Sequence, residues 1–385
     1  MTAQFINALR NEEVNGEGFD PTRFYLNSKD GEGASLSYAF YSDLSLQPSW
    51  AIGDEGFGDP AGSFRPFTAK EMSFARAAFA QVMATVNLTI TEVTEKPASF
   101  LPNTDKSATV NLGAFDINGA RITGYTDFPL YYMEGGTFAG FTSRGNQLWI
   151  DSHLKSKDSN HVIVHEIGHS LGLKHTFEGE SLNTYEQMFS QMSYNTDTKY
   201  KGFTFMDLAA LQQIYGPAQR KMEDTTHVFG KQKLIWDGGG NDTITAISSK
   251  EKVYINLNDG SWVWTGKKTD YISDSKQYYL GDHTIIENAV GSKYNDKIVA
   301  NEFANILRGS GGHDTFRFTS GEKLAGDLIS DFRHGDKIDL RYMDLKWNDV
   351  SYDRASDILT IHDGENDYAM TVKGVNALYK YDFLL

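Results

Sequence analysis

The sequence contains no cysteine among its 385 residues, which excludes disulfides, zinc–thiolate sites, iron–sulfur clusters and thiol nucleophiles. It has no apolar run that approaches the ~18 residues of a membrane-spanning helix. Basic residues are few, with 36 against 51 acidic ones and a net charge of −15, and this balance argues against nucleic acid and anionic membranes as partners. The first residues combine neither a basic segment nor an apolar one, so we expect no cleavable N-terminal signal peptide.

The acidic residues differ in type between the two parts of the chain. Residues 1–220 contain 12 Asp and 13 Glu, whereas residues 221–385 contain 20 Asp and 6 Glu. Asp suits turns and calcium loops, because its short side chain reaches its own backbone and a nearby ion. Gly216 followed by Pro217 marks a helix end between the two parts. We therefore predict domains over 21–220 and 221–385, with residues 1–20 forming a propeptide or a flexible N-terminal segment.

The first part of the chain mixes helical and strand patterns. Residues 68–86 have helical spacing, and Thr68 with Glu71 predicts a capping box at their start. The remaining predictions are helices over 159–172 and 204–215, strands near 34–41, 86–92, 108–114 and 146–150, and a loop over the Gly- and aromatic-rich residues 124–145.

The second part shows a nine-residue period instead. Polar turn residues recur at this interval, and each is followed two positions later by an apolar residue; they are Asp296, Asn305 and Asp314, with Ile298, Leu307 and Phe316. This is the pattern of a parallel β-helix or β-roll.

The central segment HEIGHSLGLKH carries the clearest chemistry. His165 and His169 are four residues apart, so on a helix both imidazoles face one point and can bind one zinc ion. Glu166 lies where a general base would reach a water at that metal. His175 can join the two imidazoles only if the helix breaks, and Gly172 provides a residue that adopts positive φ cheaply. Three His ligands leave a fourth position open, as in catalytic zinc sites.

A competing ligand set uses His161, which lies four residues before His165. Zinc held by His161, His165 and His169 would leave His175 without a role. Side chains from three consecutive turns of a straight helix cannot surround one ion tetrahedrally, so we favour the set that contains His175.

The extended zinc motif resembles that of the metzincin zinc endopeptidases. In that clan a methionine turn lies beneath the metal, and FSQMSYN provides Met192, 17 residues after His175, with Tyr194 two residues later. The Met-Ser-Tyr form is similar to that of serralysins, in which the tyrosine is a movable zinc ligand that stabilises the oxyanion. Residues 205–217 are similar to the helix that closes the serralysin protease domain. The last four residues, Asp382–Leu385, are similar to the tail of a type I secretion signal.

The resemblance implies an α+β metzincin protease domain followed by an all-β parallel β-roll/sandwich domain. The segments 236–244, 284–292 and 327–340 are similar to the calcium-binding RTX region of serralysins, but they depart from its consensus, so we expect few calcium ions. A calcium-free β-roll held by its apolar residues is the alternative. The candidate calcium residues are Asp237, Gly238, Gly240, Asp242, Asp296, Gly309, Gly312, Asp314, Asp327 and Asp331.

The implied function is zinc-dependent hydrolysis of peptide bonds in extended protein substrates by a secreted monomer. We expect the substrate to pair with an edge strand over 146–150, with Leu148, Trp149 and Ile150 as contacts. The resemblance also implies export by type I secretion machinery, and a small periplasmic inhibitor as a partner. The alternative function is a catalytically silent, calcium-dependent binding or toxin-like module that retains the zinc fold.

Overall fold

A computed structural model describes a large part of the chain, and everything below concerns that part. It comprises residue 31 and residues 33–44, 60–94, 110–117, 122–127, 131–134, 137–141, 146–177, 189–195, 201–218, 223–270, 274–364 and 366–385. The predicted N-terminal segment 1–20 lies outside these residues. The chain divides after Ala218 into two compact units. None of the described helices is long and apolar enough to cross a membrane.

The N-terminal unit combines helices with a mainly parallel sheet. Its elements are β1 (Ala34–Phe40), α1 (Pro60–Ser63), α2 (Ala69–Thr85), β2 (Leu88–Glu92), β3 (Val110–Phe115), β4 (Gly124–Asp127), β5 (Tyr131–Glu134), β6 (Thr137–Phe141), β7 (Asn146–Asp151), α3 (Ser156–Ser170) and α4 (Phe205–Tyr215). Helix α2 begins with the predicted capping box, in which Thr68 Oγ1 accepts a hydrogen bond from the Glu71 amide and the Glu71 side chain accepts one from the Thr68 amide.

The predicted loop over 124–145 was wrong for most of its length. Strand β4 pairs with β7, and β5 pairs with β6 to form a separate two-stranded sheet. Glycines and aromatic residues occur in these strands as well as in loops, so composition alone did not distinguish the two.

Strand β7 is internal, which contradicts the prediction that residues 146–150 form the sheet edge. The five-stranded sheet has the order β2-β1-β3-β7-β4, so β7 pairs in parallel with β3 and antiparallel with β4. Leu148, Trp149 and Ile150 are 0% exposed, and the Trp149 ring stacks on Tyr41 at a centroid distance of 5.1 Å. These three residues therefore form core and cannot contact a substrate, because the backbone pairs on both sides and the side chains are enclosed.

The C-terminal unit is a β structure with short strands in two sheets. Its strands are β8 (Thr226–Val228), β9 (Leu234–Ile235), β10 (Thr243–Thr245), β11 (Val253–Asn256), β12 (Trp262–Thr265), β13 (Gln277–Leu280), β14 (Asn288–Val290), β15 (Lys297–Val299), β16 (Ile306–Arg308), β17 (Thr315–Arg317), β18 (Leu328–Ile329), β19 (Lys337–Asp339), β20 (Val350–Asp353), β21 (Ile358–Asp363), β22 (Asn366–Val372) and β23 (Phe383–Leu384). Short 3₁₀ helices cover Trp347–Asp349 and Lys380–Asp382.

From β14 to β19, successive strands alternate between the two sheets, whereas β11–β13 and β20–β22 are consecutive neighbours within one sheet. One sheet has the order β20-β21-β22-β18-β16-β14-β10-β8, and the other β23-β19-β17-β15-β11-β12-β13-β9. Ala289 lies beside Leu307 in the first sheet, and Ile298 lies beside Phe316 in the second. Two nine-residue steps thus make one turn of a parallel coil, and the apolar residues of each step fill the core between the sheets.

Candidate active site

Three imidazoles converge on one point in the N-terminal unit. The Nε2 atoms of His165, His169 and His175 form a triangle with edges of 3.1, 3.2 and 3.2 Å. Nitrogen ligands at 2.0–2.1 Å from a tetrahedral zinc ion lie about 3.3 Å apart, so the triangle has the size that zinc requires.

The contacts of the outer ring nitrogens determine which ring nitrogen carries the proton in two of these histidines. His165 Nδ1 lies 2.7 Å from the Gln191 carbonyl oxygen, and His169 Nδ1 lies 2.8 Å from the Leu173 carbonyl oxygen. A carbonyl oxygen only accepts, so both Nδ1 atoms carry the proton and both Nε2 atoms present lone pairs. Converging lone pairs repel one another, and a cation between them removes that repulsion.

The helix ends where the third ligand requires it to end. After α3, Gly172 adopts a φ of 96°, its amide donates to the His169 carbonyl, and the Leu173 amide donates to the Gly168 carbonyl. These two bonds form a Schellman motif, which reverses the chain direction and brings His175 back to the other two imidazoles. This geometry supports the prediction that the helix breaks at Gly172.

The methionine turn packs directly against α3. Met192 is 0% exposed, and a Cβ added to Gly168 would lie 2.3 Å from its Sδ atom. The Met192 carbonyl accepts a hydrogen bond from the Thr176 amide, so the turn also anchors the segment that follows His175. Sequence reasoning placed Met192 here but missed Gly168, whose hydrogen side chain is what allows the close approach.

The closing helix holds the methionine turn from the other side. Asp207, in the first turn of α4, is fully buried and accepts hydrogen bonds from Ser190 Oγ at 2.5 Å and from the Gln191 amide at 3.1 Å. It also completes the capping box with Thr204. Burial raises the pKa of Asp207, although these hydrogen bonds oppose the shift.

Glu166 follows His165 in α3 and is buried. Its Oε2 accepts a hydrogen bond from Thr126 Oγ1 at 2.9 Å, and Thr126 belongs to β4. A Cβ on Gly124 would come within 3.2 Å of Glu166 Cγ, so this glycine lets the strand run close to the helix. Burial raises the pKa of Glu166 to about 8, which the Thr126 hydrogen bond partly offsets, and a bound cation would oppose the rise. Thr126 and Gly124 were missed because they fall in the predicted loop.

Tyr194 stands at the open side of the site. Its ring is 71% exposed, and its centroid lies 5.8 Å from that of His165 and 4.9 Å from that of His175. Phe177 stacks on His175 at 4.8 Å and contacts Tyr194 at 5.0 Å. Two exposed aromatic rings therefore border the metal position, and only Tyr194 was predicted.

Comparison with known proteins agrees with this geometry. The family described as Matrixin matches residues 67–216, and the family described as Peptidase M10 serralysin C terminal matches residues 214–382. The chain belongs to the serralysin-type metallopeptidases. Similar proteins include Serralysin of Photorhabdus luminescens, 26% identical over 80% of this chain and 71% of that protein, and Metallopeptidase AprA of Pseudomonas marginalis, 28% identical over 72% and 63%. Serralysin B of Dickeya chrysanthemi is 28% identical over 70% of this chain and 59% of its own length.

Membership of the serralysin-type family confirms several sequence predictions. The fold class is confirmed, as is the enzyme class of zinc metalloendopeptidase at the level of the family. A zinc ion is implied by the family, and the group of His165, His169 and His175 can hold it.

The competing ligand His161 lies outside that group. Its Nδ1 is 2.7 Å from Gln191 Oε1, and its ring centroid is 5.8 Å from that of His165. The ring is thus engaged with the methionine turn.

The candidate calcium residues of this serralysin-type chain fall into two classes. Asp237 contacts His227 Nε2 through Oδ2 at 3.0 Å, and both side chains are buried. Asp296 accepts hydrogen bonds from the Val253 amide and the Ser292 hydroxyl. Asp331 accepts from the amides of Gly309 and Ser310 at 2.9 Å. These three carboxylates already have partners within the chain, so none of them needs a cation to satisfy its hydrogen-bonding capacity.

The other three aspartates have an oxygen without a partner. Asp242, Asp314 and Asp327 each accept a backbone amide hydrogen bond through Oδ1, whereas their buried Oδ2 atoms have no hydrogen-bond partner. Burial raises their pKa values to about 6, 7 and 8. A buried carboxylate oxygen without a partner is the group that a calcium ion would satisfy.

Most of the candidate glycines lie at close approaches of the chain, and one of them, Gly309, lies against Asp314. Gly240 and Gly312 adopt φ values of 129° and 100°, and a Cβ on either would come within 3.0 Å of neighbouring backbone atoms. A Cβ on Gly309 would lie 2.2 Å from Asp314 Oδ2. Gly238 donates its amide to Asp237 Oδ1. The turns therefore fit a calcium site best around Asp314, where a side chain on Gly309 would fill the space beside the partnerless oxygen.

Proposed function

We propose that this chain is a zinc-dependent endopeptidase that hydrolyses peptide bonds of extended protein substrates. The observation that carries the proposal is the convergence of three imidazole nitrogens, with the buried Glu166 next to the first of these histidines in α3. The chemistry of this donor set suits zinc with an open fourth position.

Zinc held by the three imidazoles would polarise the scissile carbonyl and make a water more acidic. Glu166 accepts a proton from the attacking water and returns it to the leaving amine. Thr126 holds Oε2 of Glu166, which fixes the plane of the carboxylate while the proton moves. Tyr194 donates its hydroxyl hydrogen to the oxyanion that develops at the carbonyl, because its exposed ring stands beside His165 and His175.

We place the substrate along β4 instead of β7. Strand β4 is the terminal strand of the five-stranded sheet within the described residues, and it pairs with β7 on one side only. An extended peptide that pairs with β4 would run past Thr126 and Glu166. The exposed Phe177 and Tyr194 rings would then provide apolar contact area for substrate side chains.

We propose that calcium binds in the C-terminal unit at Asp242, Asp314 and Asp327, whose partnerless oxygens support it. The domain limits near residue 220, secretion to the extracellular space by a type I route, the monomeric state and a small periplasmic inhibitor stay predictions from the sequence.

The decisive experiment compares the wild-type chain with Glu166→Gln in a casein or quenched-fluorescent peptide assay. We expect Glu166→Gln to bind one zinc ion per chain and to lose at least about 100-fold in kcat, because the amide cannot accept the proton. Phenanthroline should abolish wild-type cleavage, and added zinc should restore it.

Glu302→Gln provides a matched control, because Glu302 is an exposed glutamate of the C-terminal unit with a side chain 59% accessible. It should retain wild-type turnover. A Glu166→Gln protein that cleaves at the wild-type rate would refute the role of Glu166. Zinc-loaded wild type that cleaves no peptide would instead support the silent binding module.

A further inference from the structure

Gln191 bonds through both its backbone and its side chain in the methionine turn. Its backbone carbonyl accepts from His165 Nδ1 at 2.7 Å, and its amide donates to Asp207 Oδ2 at 3.1 Å. Its side-chain Nε2 donates to the Gly202 carbonyl at 2.9 Å, and its Oε1 lies 2.7 Å from His161 Nδ1. The residue is 0% exposed, so water does not compete for these bonds.

These contacts fix both the orientation of the amide and the tautomer of His161. The Gly202 carbonyl can only accept, so the NH₂ group of Gln191 must face it. Oε1 then faces His161 and requires a donor, so Nδ1 of His161 carries a proton. A phenyl ring at position 161 would leave Oε1 of Gln191 buried without a partner.

The same residue controls the zinc ligand His165. The Gln191 carbonyl is the partner that holds the Nδ1 proton of His165 and thereby directs its Nε2 lone pair toward the other imidazoles. His161 and His165 lie one helical turn apart on α3, so one face of the helix is bonded to both ends of the same glutamine.

We propose that His161 and Gln191 act as positioning residues for the zinc ligand His165. His161 holds the Gln191 side chain, the side chain fixes the backbone of the methionine turn, and its carbonyl orients the imidazole of His165. This role rests on the proposed zinc-dependent function. The spacing of His161 made it a competing ligand, but in this proposal it supports the metal site instead of binding the metal.

The test is a double-mutant cycle on zinc affinity in the full-length chain with calcium present. The variants are His161→Phe, Gln191→Met and the double variant, which keep the side-chain volume but remove the hydrogen bonds. We expect each single variant to weaken zinc binding by about 10- to 100-fold, the usual effect of losing a hydrogen bond behind a metal ligand. Zinc dissociation constants are measured by competition with a chromophoric chelator, which needs no activity.

The double variant should bind zinc about as weakly as Gln191→Met alone, because both residues act through one set of bonds. The absorption bands of the cobalt-substituted protein should shift in both single variants. In the peptide assay kcat should fall while KM stays near the wild-type value. Gln191→Glu keeps the acceptor for His161 and loses only the donor to the Gly202 carbonyl, so it should retain more zinc affinity than Gln191→Met, and it serves as the second variant if Gln191→Met does not fold.

His362→Phe is the control, since His362 is an exposed histidine of the C-terminal unit that contacts Asp367 and lies outside the metal-binding group. It should leave the zinc affinity unchanged. Unchanged zinc affinity in His161→Phe, or purely additive losses in the cycle, would overturn the proposal. An inactive wild type with tight zinc binding would overturn the proposed function but not this assignment, which is read from affinity and spectra.

Discussion

Removal of calcium should make the stability of the C-terminal unit depend on pH. Burial raises the pKa values of Asp242, Asp314 and Asp327 to about 6, 7 and 8, from an ordinary value of 3.8. A carboxyl whose pKa rises on folding stabilises the folded state while it is protonated. This contribution is fully present below pH 3.8 and is lost as the pH rises through the folded-state values.

The magnitude follows from the size of the shifts. At pH 7 the carboxyl of Asp327 is ionised in the unfolded state but still mainly protonated in the folded state, which lowers the stability by roughly 4 kcal/mol, at about 1.4 kcal/mol per pH unit above its ordinary pKa. Asp242 has the smallest shift and should contribute less. For a unit of this size, roughly 4 kcal/mol corresponds to a change in Tm on the order of 10 °C. Calcium bound to the ionised carboxylates should restore this stability at neutral pH.

The assay is calorimetric unfolding of the full-length chain in metal-free buffers between pH 5 and pH 8, with and without added calcium. We expect the Tm of the C-terminal unit to fall with rising pH without calcium and to recover with calcium. Asp327→Asn should flatten the calcium-free profile, whereas Asp353→Asn, an exposed aspartate of the same unit, should not. A profile that is flat without calcium would refute the burial argument, and a falling profile that calcium does not restore would refute the calcium sites.

Two substitutions in and beside α3 give further predictions. Gly168→Ala should destabilise the N-terminal unit by about 1–3 kcal/mol, because the new Cβ would lie 2.3 Å from Met192 Sδ; thermal unfolding measures the loss, and an unchanged Tm would contradict the packing. Thr126→Val should lower kcat about tenfold with little effect on KM, since it removes the hydrogen bond that holds Glu166 while the strand stays in place; steady-state kinetics with equal values for both proteins would exclude this role.

The features that could be predicted from the sequence are those set by local spacing. The imidazole pair of α3, the break at Gly172 and the capping box of α2 each depend on residues within one or two helical turns. The nine-residue period likewise fixed the inward position of Ile298 and Phe316, because each coil turn repeats the same local geometry.

The features that escaped prediction depend on pairing between distant segments. Strand β7 is internal because β4 pairs with it. The position of β4 depends on the packing of Gly124 against α3 and not on the residues of β7 itself. The contact between His161 and Gln191 joins residues 30 positions apart, and nothing in the sequence around either residue indicates that the two meet. The contact between Asp237 and His227 was missed for the same reason.

The carboxylate of Asp207 links the last helix of the N-terminal unit to the chemistry of the site. The same side chain starts α4 and secures Ser190 and Gln191 in the methionine turn. A chain still emerging from the ribosome lacks this clamp until residue 207 has been released and folded. Hydrolytic competence should therefore arise late in biosynthesis, after the helix that contains Asp207 has docked, and nascent fragments that end before that helix should be inert.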